Sequence, residues 1–124
     1  MKALALASLS LLCLLPLPAQ TDEALTDEAL EARQIHAGRE KAQPCTTCHG
    51  LDGLRQGGEM PAIGGRRYDE LLYQLGRFRR ADRFHPAMTL LLQTFDVADM
   101  ADVAAYFASV DRDRATRSNP YVAR

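Results

Sequence analysis

The chain has 124 residues, is 47% hydrophobic and carries a formal charge of −1, with 15 Lys and Arg set against 16 Asp and Glu. That balance excludes the basic face a nucleic-acid-binding protein needs, and the length sets one small domain.

Residues 1–19 read as a secretory signal. Lys2 supplies the positive start, Ala3 to Leu15 is apolar, and Ala19 offers a small residue for cleavage before Gln20. The apolar run is short for a membrane span and nothing later is apolar enough to be one, so the expectation is an exported, periplasmic protein that does not span the membrane. Cys13 leaves with the signal, and the bulky Leu12 before it argues against a lipoprotein. Residues 20–110 read as the folded domain and 111–124 as a polar, mobile tail containing Pro120 and four arginines.

Thr-Asp-Glu-Ala-Leu occurs twice, at 21–25 and 26–30, and does not recur, so it is a local duplication rather than a repeat architecture. Thr26 can cap a helix over residues 26–38, with Asp27 and Glu28 in its first turn as the helix dipole prefers. Leu25, Ala29, Ala32 and Ile35 or His36 fall on one face.

Cys45-Thr46-Thr47-Cys48-His49 follows. Two thiols two residues apart, with an imidazole directly after, match the pattern that attaches haem covalently in c-type cytochromes. Each thiol adds to one haem vinyl group, and the histidine then stands under the iron as an axial ligand. A thioredoxin-like redox pair would need a strand leading in, where Gln43-Pro44 stands. Structural zinc would need four ligands, and no second paired motif occurs. A plain disulfide leaves His49 unexplained. One covalently bound haem c is the cofactor read here. Its apolar face would supply much of the interior that so short a chain lacks, and without it the chain is expected to be largely unfolded.

Residues 51–67 are Gly-rich and aperiodic, a loop over one haem edge; no Gly-Lys-Ser/Thr follows to make it a phosphate loop. Residues 68–80 read as a second helix, with Tyr68, Leu71, Leu72, Leu75 and Phe78 inward and Asp69, Glu70, Gln74 and Arg77 outward. Arg66, Arg67, Arg77, Arg79, Arg80 and Arg83 make this middle region basic, either a solvated face or a docking patch for the acidic surface of a redox protein partner. Residues 81–95 read as irregular. Asp96, with Asp99 three residues on, caps a third helix reaching about Val110, its inner face formed by Val97, Met100, Val103 or Ala104, and Phe107.

The second axial position has four candidates. Met100 lies on an apolar helix face and is most simply core. Met60 follows closely after His49, in the loop on that histidine's own side. Met88, in the irregular segment between two helices, has chain enough to return on the opposite face, and His85 is its rival. A His/Met pair raises the reduction potential and closes the iron to other ligands, which suits electron transfer; a bis-histidine haem would have a lower potential. If neither binds, the open iron would permit ligand binding or peroxidase-like activity.

Gly38, the run Cys45 to Gly50, Asp52-Gly53, Pro61-Ala62-Ile63-Gly64-Gly65, Tyr68 to Leu72, Phe78-Arg79, Met88 and the run Asp102 to Ser109 together resemble one domain of the bacterial class I cytochromes c, of the c4 and c553 type. The likeness covers about residues 35–110. It implies an all-α fold of three or more helices around the haem, whose first and last helices cross where Gly38 lets Tyr106 approach. It implies further that the Pro61 carbonyl accepts a hydrogen bond from His49, and it favours Met88 as the distal ligand. Members called c4 carry two such domains in tandem; one is read here, and the His85-Pro86 before Met88 is unusual. The function implied is a monohaem carrier of single electrons that catalyses no bond chemistry. The alternative is the haem subunit of a periplasmic oxidoreductase complex, resembling the cytochrome subunit of flavocytochrome sulfide dehydrogenases.

Overall fold

The computed structural model describes residues 26–55 and 60–111. The expected signal, the first copy of the pentapeptide and the expected tail beyond Asp111 lie outside the described residues. The described residues form five α-helices: α1 (Asp27–Lys41), α2 (Gln43–His49), α3 (Tyr68–Arg79), α4 (Pro86–Leu92) and α5 (Val97–Ala108), with a short 3₁₀ turn at Leu51–Gly53. Among the described residues there is no strand, and no helix is long and apolar enough to cross a membrane.

The start of α1 follows from Thr26, whose Oγ1 accepts the Ala29 N–H at 3.2 Å. Asp27 and Glu28 fill its first turn and Arg39 and Lys41 its last, complementing the dipole at both ends. The helix runs to Lys41, a turn beyond the expected 38. Ala32 is exposed rather than inward; the buried point of α1 is Gly38, where it crosses α5. A Cβ at Gly38 would run into the Asp102 carbonyl and lie 2.9 Å from Tyr106 Cβ, so only glycine permits this approach. Beyond the crossing, Lys41 Nζ pairs with Asp99 at 2.7 Å and Asp102 at 2.6 Å. These hydrogen bonds hold the Asp99 carboxyl below the usual range and push the ammonium of Lys41 up.

Two further helices lie where none was expected, the second of them in the segment read as irregular. The haem motif itself is helical: α2 begins with Pro44 in its first turn, where a missing N–H costs nothing, and stops at Gly50 with φ 81°. The segment 81–95 contains α4, again with a proline, Pro86, in its first turn and His85 as its N-cap. Helix α5 starts with a reciprocal box: Asp96 accepts the Asp99 N–H at 2.7 Å and Asp99 accepts the Asp96 N–H at 3.1 Å. Val97 and Tyr68, both expected inside, are 67% and 39% exposed because each opens its helix on the outer turn.

The core has two parts. Ala42, Cys45, Leu71, Val103, Ala104, Tyr106 and Phe107 form the larger. Phe78, Leu92 and Met100 form the smaller, and Leu72, Leu75 and Phe95 pack against both. Two hydrogen bonds tie the end of α3 to the α4–α5 connection: Arg79 Nε donates to the Phe95 carbonyl at 2.8 Å, and Gln93 Nε2 donates to the Arg79 carbonyl at 2.7 Å. The end of α4 is thereby held against the end of α3.

Candidate haem site

The site starts from α2. Its length of two turns places Cys45 against the core and leaves Cys48 exposed, and neither thiol is in a disulfide. Burial pushes the Cys45 thiol up to about 11, so it is a neutral, apolar-walled group. Arg55 takes up the last carbonyls of the helix, its backbone N–H on His49 at 2.8 Å and its guanidinium on Cys48 at 3.1 Å.

His49 is 5% exposed. Its Nδ1 lies 2.8 Å from the Pro61 carbonyl oxygen. A carbonyl only accepts, so Nδ1 carries the hydrogen and Nε2 presents a lone pair. That Nε2 is buried and has no hydrogen-bond partner among the described residues. The loop explains how Pro61 gets there. The Gly53 carbonyl accepts from the backbone of Ile63 at 2.8 Å and Gly64 at 3.0 Å, and Gly65 N–H donates to the Phe107 carbonyl at 2.7 Å, folding residues 60–65 back across α2. The Tyr106 hydroxyl completes the fold-back by donating to Asp52 Oδ1 at 2.7 Å.

His49 lines a cleft of about 330 Å³, walled by apolar side chains of the loop, α3 and α5. Met88, partly buried, lines it as well and packs on the smaller core cluster. Met60 and His85 also reach it, whereas Met100 does not: it is 5% exposed and belongs to the core. His85 Nδ1 accepts the Met88 backbone N–H at 3.4 Å. The polar part of the wall was not foreseen. Glu70 and Gln74, read as outward, line the cleft together with Arg66 and Arg83. The signal available was their spacing: 70 and 74 share one flank of α3, beside its apolar stripe, and Arg66 stands four residues before Glu70, just ahead of the helix.

A buried imidazole nitrogen with no partner among the described residues is costly to leave unmade, and here it lines a largely apolar cleft with the Cys45 thiol, the second thiol, Cys48, standing exposed on the same helix. Those residues fit a porphyrin that is tethered covalently and ligated axially, which defines a c-type haem site on an all-α domain. Over 85 residues the chain is 39% identical to cytochrome c4 of Pseudomonas aeruginosa, a match covering 68% of this chain and 42% of that protein. It is 37% identical over 71 residues to cytochrome c-552 of Acidithiobacillus ferridurans (57% and 30%) and 34% identical over 94 residues to cytochrome c4 of Azotobacter vinelandii (68% and 45%). No protein-family model matches the chain. The chain belongs to the bacterial class I c-type cytochromes, whose cofactor is covalently bound haem c. It spans less than half the length of these relatives.

Proposed function

We propose that residues 20–110 form a periplasmic monohaem cytochrome domain that carries single electrons between redox partners, with His49 and Met88 as its axial ligands. The observation that carries this reading is the Nε2 lone pair of His49, buried and unpartnered in a cleft that Met88 also lines. When bound, haem c supplies a one-electron couple. Cys45 and Cys48 would hold it by thioether bonds. The Pro61 carbonyl fixes the ring of His49 and strengthens it as a donor. A thioether from Met88 favours the reduced metal and raises the potential, and filling both axial positions suits outer-sphere transfer. Arg66 and Arg83 are the cleft residues that would meet the haem carboxylates. The guanidinium of Arg83 lies 4.6 Å from the centre of the Phe78 ring and donates to Gln74 at 2.9 Å, so among the described residues its charge is not spent on a carboxylate.

The charge of the middle region supports docking of an acidic partner there. Arg66, Arg67 and Arg80 pair with Glu70, Asp69 and Asp82. Among the described residues Arg77, Arg79 and Arg83 donate instead to neutral groups, which supports a net positive charge on this region. One observation favours a second reading, the haem subunit of a periplasmic oxidoreductase complex: Phe84, at the cleft mouth, is 72% exposed. Co-purification with a flavoprotein would favour the subunit over the free carrier.

The test is the optical spectrum of the haem-loaded oxidised protein. The expected wild type is low-spin with the weak long-wavelength sulfur-to-iron band, and Met88→Ala abolishes that band. A wild type without it, or a high-spin wild type, sinks the His49/Met88 assignment.

A further inference from the structure

His85 was a rival ligand by residue type alone. Its surroundings give it a different task. Helix α4 has only seven residues, with Pro86 in its first turn, and His85 is its N-cap, in extended backbone with φ −150°. The His85 Nδ1 accepts from Met88 N at 3.4 Å, the His85 N–H donates to Thr89 Oγ1 at 3.3 Å, and the Thr89 N–H donates to the His85 carbonyl at 2.8 Å. One N-terminal N–H of α4 is thus satisfied by an imidazole, and it is the N–H of Met88 itself. A helix this short is marginal and depends on its cap.

We infer that His85 is a positioning residue: its imidazole caps α4 and thereby fixes the backbone of Met88, holding the thioether in the cleft. This rests on the reading of Met88 as the distal ligand. An imidazole whose Nδ1 lone pair is occupied by the cap keeps its ring at the helix end. Losing that acceptor removes one of the three hydrogen bonds that hold the first turn of α4, the one made by the Met88 backbone itself. Removing an N-cap acceptor typically costs about 1 kcal/mol, roughly fivefold in the population of the detached segment. An added ligand that can bind only the detached state gains apparent affinity by the same factor.

The experiment compares haem-loaded wild type, His85→Ala, His85→Asn and Met88→Ala, titrating each oxidised protein with imidazole and following the sulfur-to-iron band. Asparagine keeps a capping acceptor and has no metal-binding ring. The expected result is a band in wild type and both His85 variants. The imidazole midpoint falls about fivefold in His85→Ala and stays near wild type in His85→Asn. An unchanged midpoint in His85→Ala overturns the inference, and so does an equal fall in both variants, because the cap would then not be the cause. Loss of low-spin character in both His85 variants makes His85 the ligand and overturns it outright. Where wild type lacks the band, the Met88 reading has failed separately; amide exchange at Met88 then decides the cap, faster exchange in His85→Ala than in His85→Asn upholding it and equal exchange overturning it.

Discussion

Tyr106 shows how one side chain joins three parts of the site. Its Cβ packs against Gly38 on α1, its ring lies 5.0 Å from that of Phe107, and its hydroxyl donates to Asp52 at the turn after the haem motif. Asp52 sits at φ 54°, a left-handed conformation that costs a non-glycine residue about 1 kcal/mol and that the hydrogen bond helps to hold. Burial, and then the Asp52 carboxylate, push the phenol up to about 12, while Arg39 pulls the other way. A folded pKa above the ordinary value of 10.0 means that the unfolded chain gives up this proton first as pH rises. The stabilisation is therefore complete below pH 10 and is lost as pH climbs towards 12. Denaturant unfolding of the haem-loaded protein across that window should show a falling stability in wild type. In Tyr106→Phe the stability should start about 1 kcal/mol lower and lack that part of the slope.

The helices whose starts are written in side chains were legible in the sequence. Thr26 with two acids behind it and the Asp96/Asp99 box mark α1 and α5, and the spacing of Leu71, Leu72, Leu75 and Phe78 marks α3. Helices α2 and α4 were not, for a common reason: each is seven residues long, too short for an apolar period to repeat, and each has a proline where a reader expects a break. His85 is also an uncommon cap, so nothing in its residue type announces a helix. The site divides in the same way. Cys45, Cys48 and His49 are legible because their chemistry needs consecutive spacing, whereas the wall of Arg66, Glu70, Gln74 and Arg83 depends on how α3 is rotated over α2. That rotation is set at the α1–α5 crossing and by the packing of α3 on α5, which no local pattern records. The crossing can be tested directly. On helix propensity alone Gly38→Ala would stabilise by about 1 kcal/mol. The new methyl meets backbone of α5, which cannot move aside as a side chain could. The expected outcome is a net loss of about 1–3 kcal/mol in denaturant unfolding; a gain would mean that the helices separate without cost.

For the whole molecule the decisive feature is the cleft lined by Cys45, Leu71, Val103, Ala104 and Phe107 of the larger core cluster and by Phe78 of the smaller. Leu72, Leu75 and Phe95 pack against both clusters, and Leu75 also lines the cleft, whose volume is about 330 Å³. Treated as an empty core cavity at about 24 cal/mol per Å³, that volume would cost on the order of 8 kcal/mol. A small domain has only about 5–15 kcal/mol in total. Water entering an open cleft lowers the cost of the void itself but leaves the apolar walls wet, so those walls then contribute little to folding. Neither cysteine of the haem motif offers a substitute staple, since both are free of a disulfide. On the proposed reading the cofactor would thus be a structural member of the core as well as the redox centre. The protein with Cys45→Ala and Cys48→Ala, purified free of haem, should lose most of its far-ultraviolet helical signal and melt without a cooperative transition. The haem-loaded wild type should unfold in one step. Native-like helicity with a sharp transition in the haem-free variant would mean that the two clusters close on each other, and that the α1–α5 crossing alone sustains the fold.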